Sequence, residues 1–261
     1  MSSRTVCFVA GLLLSGSALG EFKPDPGAMV KELEIASTSD DRVTLVLWLP
    51  TEFWRASLES SGKIAPQEIA RFTRELEPYV IVAVADGQKG IAGAVNFAEP
   101  DLLKNAVTIE DARGERLAAL PDEEISGGVR NLTQMMRPVF SNMLGSLGVH
   151  LAFVVFPGTE KAGRRTVEPT KEGTFVVHVG TVAAPYRLPL VSLLPPVIDE
   201  KTGESFPGNY RFNPFTGNKL SPAPAAGAKP PADFAPARGA PSAPTGTGLR
   251  LERPAPAPGI T

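Results

Sequence analysis

The chain has 261 residues, 43% of them hydrophobic, with 26 basic against 28 acidic side chains and a single cysteine. That length suits one globular domain with small additions and is ample for a sizeable core. The balanced, unclustered charge argues against nucleic acid and against an anionic membrane surface as partners, and a lone cysteine leaves no basis for a disulfide framework.

Residues 1–20, MSSRTVCFVAGLLLSGSALG, place one cation, Arg4, ahead of an apolar run from Val6 to Leu14 and then small residues. Ala18-Leu19-Gly20 supplies a small-x-small cleavage site, so this segment reads as a secretory signal peptide. Its apolar run is too short to span a bilayer, and no later stretch is long and apolar enough to do so. The expected location is therefore periplasmic or extracellular, with no transmembrane segment in the mature chain. Cys7 lies inside the leader, so the mature chain carries no thiolate metal site and no cysteine nucleophile.

After the leader, Phe22 to Ala28 reads as a proline-bearing lead-in. Leu33 and Ile35 alternate with charges, STSDD (37–41) makes a polar turn, and RVTLVLWL (42–49) is a continuous apolar strand of the kind buried on both faces. The two flanks can pair as a hairpin. Thr51 can cap a helix with its hydroxyl, and Phe53, Trp54 and Leu58 then fall at helical spacing until Ser60-Ser61-Gly62. Pro66 suits the first turn of a second helix, whose Ile69, Phe72, Thr73 and Leu76 share a face before Pro78 closes it.

YVIVAVA (79–85) is a second buried strand, and Asp86-Gly87 is expected to turn the chain so that Ile91 to Phe97 returns. Ala106 to Glu110 and Glu115 to Leu120 flank Asp111-Ala112-Arg113-Gly114, a hairpin turn. Val129, Leu132, Met136, Val139, Met143 and Leu147 lie on one helical face, which Pro138 is expected to kink or split into two abutting helices. HLAFVVF (150–156), Thr174 to Gly180 and Tyr186 to Leu194 complete the strands. This order predicts an α+β domain over residues 21–194: a mixed, mainly antiparallel sheet with helices packed on one side.

Residues 199–220 read DEKTGESFPGNYRFNPFTGNKL and contain nearly the same phrase twice. Asp199, Thr202 and Gly203 align with Asn213, Thr216 and Gly217. In a D/N-x-x-T-G turn the first side chain accepts hydrogen bonds from backbone N–H groups two residues on, and the glycine takes a left-handed conformation. Two such turns predict a double β-hairpin over residues 195–220. Its layout resembles a zinc ribbon, in which each hairpin tip reads C-P-x-C-G and the tips together hold zinc with four thiolates. Asp199, Thr202, Asn213 and Thr216 occupy the cysteine places, with Pro214, Gly217 and Gly203 in the supporting ones. The resemblance implies the hairpin geometry without the metal, since all four cysteine ligands are missing. The same phrases also stand as two ordinary turns, and neither reading implies zinc. Asp199, Glu200, Glu204 and Asn213 offer oxygens to a hard cation, but their spacing matches no calcium loop.

From Ser221 the chain becomes Pro/Ala/Gly-rich and nearly free of large apolar residues. Such a composition cannot bury enough surface to offset ordering entropy, so residues 221–261 are expected to be a disordered tail, extended where prolines cluster.

Catalytic patterns fail on specific requirements. FVVFPGTEKAGRRT (153–166) approaches a phosphate loop, but Arg164 and Arg165 stand where Lys and Ser/Thr are needed, and an extended stretch follows instead of a helix. His150 and His178 are the only histidines, and neither sits in an H-E-x-x-H cluster. Leu144-Gly145-Ser146-Leu147-Gly148 has the wrong glycine spacing for a nucleophile elbow; its Gly145-Ser146 suits a helix end, which leaves a Ser146–His150 pair without support. Glu123-Glu124 and Asp40-Asp41 read as helix-start and turn residues, and Trp48, Phe53 and Trp54 as core. No cofactor is implied. These readings favour an exported, non-enzymatic binding or scaffold protein of the cell envelope, engaging an envelope protein through the tail or the double hairpin. The alternatives are a hydrolase whose acid/base site forms only on folding, and a small-molecule carrier with an apolar pocket under the 129–147 helix.

Overall fold

The computed structural model describes residues 22–91, 94–160 and 163–223. The expected leader, and the expected tail beyond Ala223, lie outside those residues. The described chain is α+β with antiparallel strand pairing throughout its ladders. The strands between Glu34 and Leu188 divide between two facing sheets, a partition that hydrophobic periodicity alone does not reveal.

Asp25 starts α1 (Pro26–Leu33): its carboxylate accepts from the N–H groups of Gly27 at 3.0 Å and Ala28 at 3.3 Å, and Pro26 fills the first helical position. The last three residues of the expected proline-bearing lead-in, Pro26 to Ala28, are thus helix, and its D-P-G phrase is the local reason. The hairpin β1 (Glu34–Thr38) and β2 (Arg42–Trp48) follows, then α2 (Thr51–Ser61) and α3 (Pro66–Leu76). Thr51 does not cap α2; Pro50 precedes it without a side-chain cap, and Thr51 is buried. Gly62, at φ 63°, ends that helix in the left-handed region.

The long strand β3 (Tyr79–Lys89) runs through Asp86-Gly87 instead of turning there. Arg42 clamps Asp86 with two hydrogen bonds, of 2.7 and 2.9 Å, and Thr44 donates its hydroxyl to the same carboxylate at 2.7 Å. That cross-strand network holds the residue in the ladder and moves the reversal to the residues before β4 (Val95–Phe97). Next come α4 (Pro100–Ala106), β5 (Val107–Glu110), β6 (Arg116–Ala118), α5 (Gly127–Leu144), α6 (Ser146–Val149), β7 (Ala152–Pro157), β8 (Gly173–Val179) and β9 (Val182–Leu188).

The central sheet orders β1-β2-β3, with β4 and β7 sharing the far edge of β3; the outer sheet orders β6-β5-β8-β9. Both faces of the central sheet are covered. Val46, Trp48, Val82, Val84, Val154 and Phe156 face the outer sheet, where they meet Ile109, Phe175, Val177 and Tyr186. Leu45, Leu47, Ile81, Ala83, Phe153 and Val155 face α2, α3 and α5 through Trp54, Leu76, Val129, Leu132 and Phe140. This explains the unbroken apolar runs: alternate residues serve two cores. Trp48 packs against both Phe175 and Tyr186, with ring centroids at 4.9 and 5.5 Å, and the Tyr186 hydroxyl donates to the carbonyls of Leu33 and Val46.

Helix α5 passes through Pro138 without ending; the break comes at Gly145, before α6. Its buried face runs through Val129, Leu132 and Phe140, with Met136, Leu144 and Leu147 partly covered. Val139 and Met143, expected on that face, are exposed. The helix rotates them outward because Phe140 takes the inner position against Phe153, centroids 5.7 Å apart.

Candidate functional site

The C-terminal element is anchored before it begins. Leu190 is buried between the sheets and donates its N–H to the carbonyl of Pro169 at 2.8 Å. Glu32 of α1 then accepts from the N–H groups of Val191 at 2.6 Å and Ser192 at 2.9 Å. Beyond this tie, β10 (Val197–Ile198) is the centre of a small sheet, with β11 (Ser205–Phe206) on one side and β12 (Ser221–Pro222) on the other. Ser221 and Pro222 therefore belong to the folded element, whose boundary lies past the start expected for the tail. The second turn is bridged at Phe212 and Lys219.

Four hydrogen bonds recur in both turns. In the first, Asp199 N–H donates to the Glu204 carbonyl (2.9 Å) and Gly203 N–H to the Asp199 carbonyl (2.7 Å). Lys201 N–H donates to Asp199 Oδ1 (3.0 Å) and Glu204 N–H to Thr202 Oγ1 (3.3 Å). In the second, Asn213 N–H donates to the Asn218 carbonyl (2.8 Å) and Gly217 N–H to the Asn213 carbonyl (2.9 Å). Phe215 N–H donates to Asn213 Oδ1 (2.9 Å) and Asn218 N–H to Thr216 Oγ1 (3.3 Å). Gly203 and Gly217 have φ of 75° and 73°, a region open to glycine at little cost.

The difference at the first position of the turns, Asp against Asn, joins them. Asp199 Oδ2 accepts from Asn213 Nδ2 at 2.7 Å, Asn218 Nδ2 at 3.0 Å and Thr216 Oγ1 at 3.2 Å. Asp199 is 0% exposed and Asn213 1%. An ionised carboxylate only accepts, whereas an asparagine can donate inward while its oxygen serves its own turn. Two aspartates would set like charges together; two asparagines would lack the acceptor. Glu204 Oε2 adds a second acceptor, bonded by Thr202 Oγ1 at 3.1 Å and Asn213 Nδ2 at 3.3 Å. Burial alone would push the Asp199 carboxyl up. The donors of Asn218, Asn213, Lys201 and Thr216 override it and hold the group well below the usual carboxylate range.

All six turn residues singled out in the sequence thus lie in one hydrogen-bonded lattice. Of the acceptor and the donor that follow the two glycines, sequence reasoning considered Glu204 only as a cation ligand and missed Asn218. The repeat register itself was the available signal, since it aligns them as it aligns Asp199 with Asn213. The Asp199 oxygens are met by N–H and O–H donors, and among the described residues no group of three or more His, Cys, Asp or Glu side chains is placed to hold a metal ion.

Around this polar centre the aromatic rings are turned outward. Phe206 stacks on Tyr210 with centroids 6.2 Å apart. Tyr210 is 42% exposed, Phe212 58% and Phe215 84%. Arg211, between two of them, forms an ion pair with Glu172 of the domain.

Other candidate positions serve the fold. In the 153–166 segment, four of the described backbone donors that a phosphate cradle could use are bonded internally. Gly158 N–H donates to Pro78, Glu160 N–H to Arg164, Gly163 N–H to Glu160 and Thr166 N–H to Gly158. Arg165 pairs with Glu52 at 2.6 Å. His150 stacks on Phe97 at 4.8 Å. His178 Nε2 lies 3.1 Å from Glu110 Oε2 in a cross-strand pair that Arg116 also joins, and the Arg116 and His178 bonds hold Glu110 below the ordinary glutamate range. The space under α5 is filled by the second core. A cleft of about 230 Å³ between Phe22, Lys23 and the α2 residues Glu52, Arg55 and Glu59 is smaller than the ~300–1,000 Å³ of most ligand pockets. No helix of the described residues is long and apolar enough to cross a membrane. No protein-family model matches the chain, and comparison with curated proteins and with solved structures finds no match.

Proposed function

We propose that this is an exported, non-enzymatic binding or scaffold protein of the cell envelope, and that the C-terminal double turn is its binding element. One observation carries the reading: Tyr210, Phe212 and Phe215 are held outward on a turn pair whose own interior is a closed polar lattice. Exposed aromatic rings on a rigid support are the residue types that dominate binding energy at interfaces. A lattice that satisfies its own donors and acceptors leaves those rings as its unspent apolar surface. The placement of Thr216, Asn213 and Asp199 within hydrogen-bond reach of one another also supports likeness to the tips of a zinc ribbon, with a carboxylate at the centre in place of the metal.

The test is a crosslinked capture from envelope extract by the chain starting at Glu21, with and without Phe212→Ala and Phe215→Ala. A partner retained by the parent chain and lost from the double variant is the expected result. Identical capture by both, or hydrolysis of a generic substrate panel with a bell-shaped pH dependence, overturns the reading.

A further inference from the structure

We infer that the exposed aromatic surface of the double turn binds a proline-rich extended segment, and that its first ligand is the chain's own stretch PPADFAP, residues 230–236. The inference rests on the reading of the double turn as a binding element and names its ligand chemistry. Three observations carry it. First, Tyr210, Phe212 and Phe215 are the exposed aromatics of one short run, with Phe206 stacked behind Tyr210. Flat aromatic surfaces are what polyproline helices dock against, because the prolines arrive pre-ordered and lose little conformational freedom.

Second, the described chain ends in the same small element that carries these rings. Ser221 and Pro222 pair with Ile198 and Val197 in the same small sheet, and Ala223 N–H donates to the carbonyl of Pro196 at 3.1 Å. Third, the sequence that follows supplies the ligand. Pro230, Pro231 and Pro236 surround Phe234, the one aromatic residue after Phe215. The intervening stretch from Pro224 to Lys229 can span roughly 20 Å when extended at about 3.1 Å per residue, which lets the ligand stretch return toward the element it leaves. A tether this short gives a millimolar effective concentration, so a contact too weak to detect between separate molecules is substantially populated within one.

The chain from Glu21 to Thr261 has no cysteine, which makes a direct test simple. A nitroxide on Ser242→Cys reports proximity through broadening of amide resonances. Broadening at Phe212 and Phe215 that falls at least several-fold in a Pro230→Ala/Pro231→Ala/Phe234→Ala variant is the expected result. These substitutions lie outside the described residues and change no side chain of the lattice. The Phe212→Ala/Phe215→Ala chain should show the same loss at Tyr210 and Thr216, with the Gly203 and Gly217 resonances unmoved. Equal broadening in the parent and in the tail variant overturns the inference, because a free tail spends the same time near the surface whatever its composition. If that happens while the aromatic-dependent capture persists, the binding element stands and its ligand is another; loss of both removes the binding reading itself.

Discussion

The domain and the double turn solve the same problem with opposite materials. In the domain, a central sheet buries apolar side chains on both faces, and Trp48, Phe156 and Phe175 fill the space between the sheets. In the double turn the most buried side chains are Asp199 and Asn213. An apolar core is non-directional and tolerates repacking; a buried polar centre works only when every donor meets its acceptor. The first should therefore fail gradually and globally, the second abruptly and locally.

The largest effect should come from the domain. Trp48→Ala removes the ring packed against Phe175 and Tyr186 and should cost about 3–5 kcal/mol in urea denaturation. If the two regions are energetically separate, amides at Lys201 and Phe215 will exchange faster only to the extent that Leu190 and Glu32 lose their seats. Arg42→Leu should cost somewhat less, about 2–4 kcal/mol, because it strands the mostly buried Asp86 with Thr44 alone and removes the bonds to Val179 and Thr181 that tie the two sheets. A loss below ~0.5 kcal/mol would mean that the clamp contributes only to geometry.

In the double turn the sharpest substitution is the most conservative. Asp199→Asn keeps the shape but points an amide at the side-chain amides of Asn213 and Asn218. Hydrogen exchange at Lys201, Gly203, Phe215 and Gly217 should accelerate at least tenfold while Val82 and Val154 keep their protection. Unchanged exchange at those turn amides would show that the backbone bonds alone hold the repeat. Acid should do the same work. Asp199 titrates lower in the folded chain than in the unfolded one, so its contribution is fully present above about pH 4, the ordinary aspartate range, and is lost as pH falls below it. The double turn should open ahead of the domain on acidification, followed by the Lys201 and Phe215 amides. A turn that melts together with Val82 would place the acid-sensitive group elsewhere.

The two regions also differ in how far the sequence discloses them. RVTLVLWL and YVIVAVA announce strands buried on both faces, because period and composition are local properties. What covers each face is a matter of distant partners, so the split into two sheets, and the inward choice of Phe140 over Val139, are not written in any window. Asp86-Gly87 reads as a turn until Arg42 and Thr44 supply partners for the carboxylate. In the double turn the repeat makes each turn legible by itself. The bond between them is hidden because side-chain donor and acceptor pairing across fourteen residues leaves no periodic trace. Only the Asp-to-Asn change at the aligned position hints that the halves are complementary and not merely similar.

The smallest expected effect on stability is the one with the largest consequence for binding. Phe215 is 84% exposed at the tip of the second turn, and its backbone N–H, not its ring, bonds Asn213. Phe215→Ala should therefore leave the urea midpoint of the domain and the exchange of Gly217 unchanged, within about 0.5 kcal/mol. Lys201, its counterpart in the first turn, makes the same backbone bond with an entirely different side chain, so the turn does not depend on what stands there. A ring that the fold does not need, placed where water must surround it, is retained surface. If Phe215→Ala instead loosens Gly217, the ring is part of the turn's packing, and the contrast between a self-sufficient lattice and a display of aromatics gives way to a single cooperative cluster.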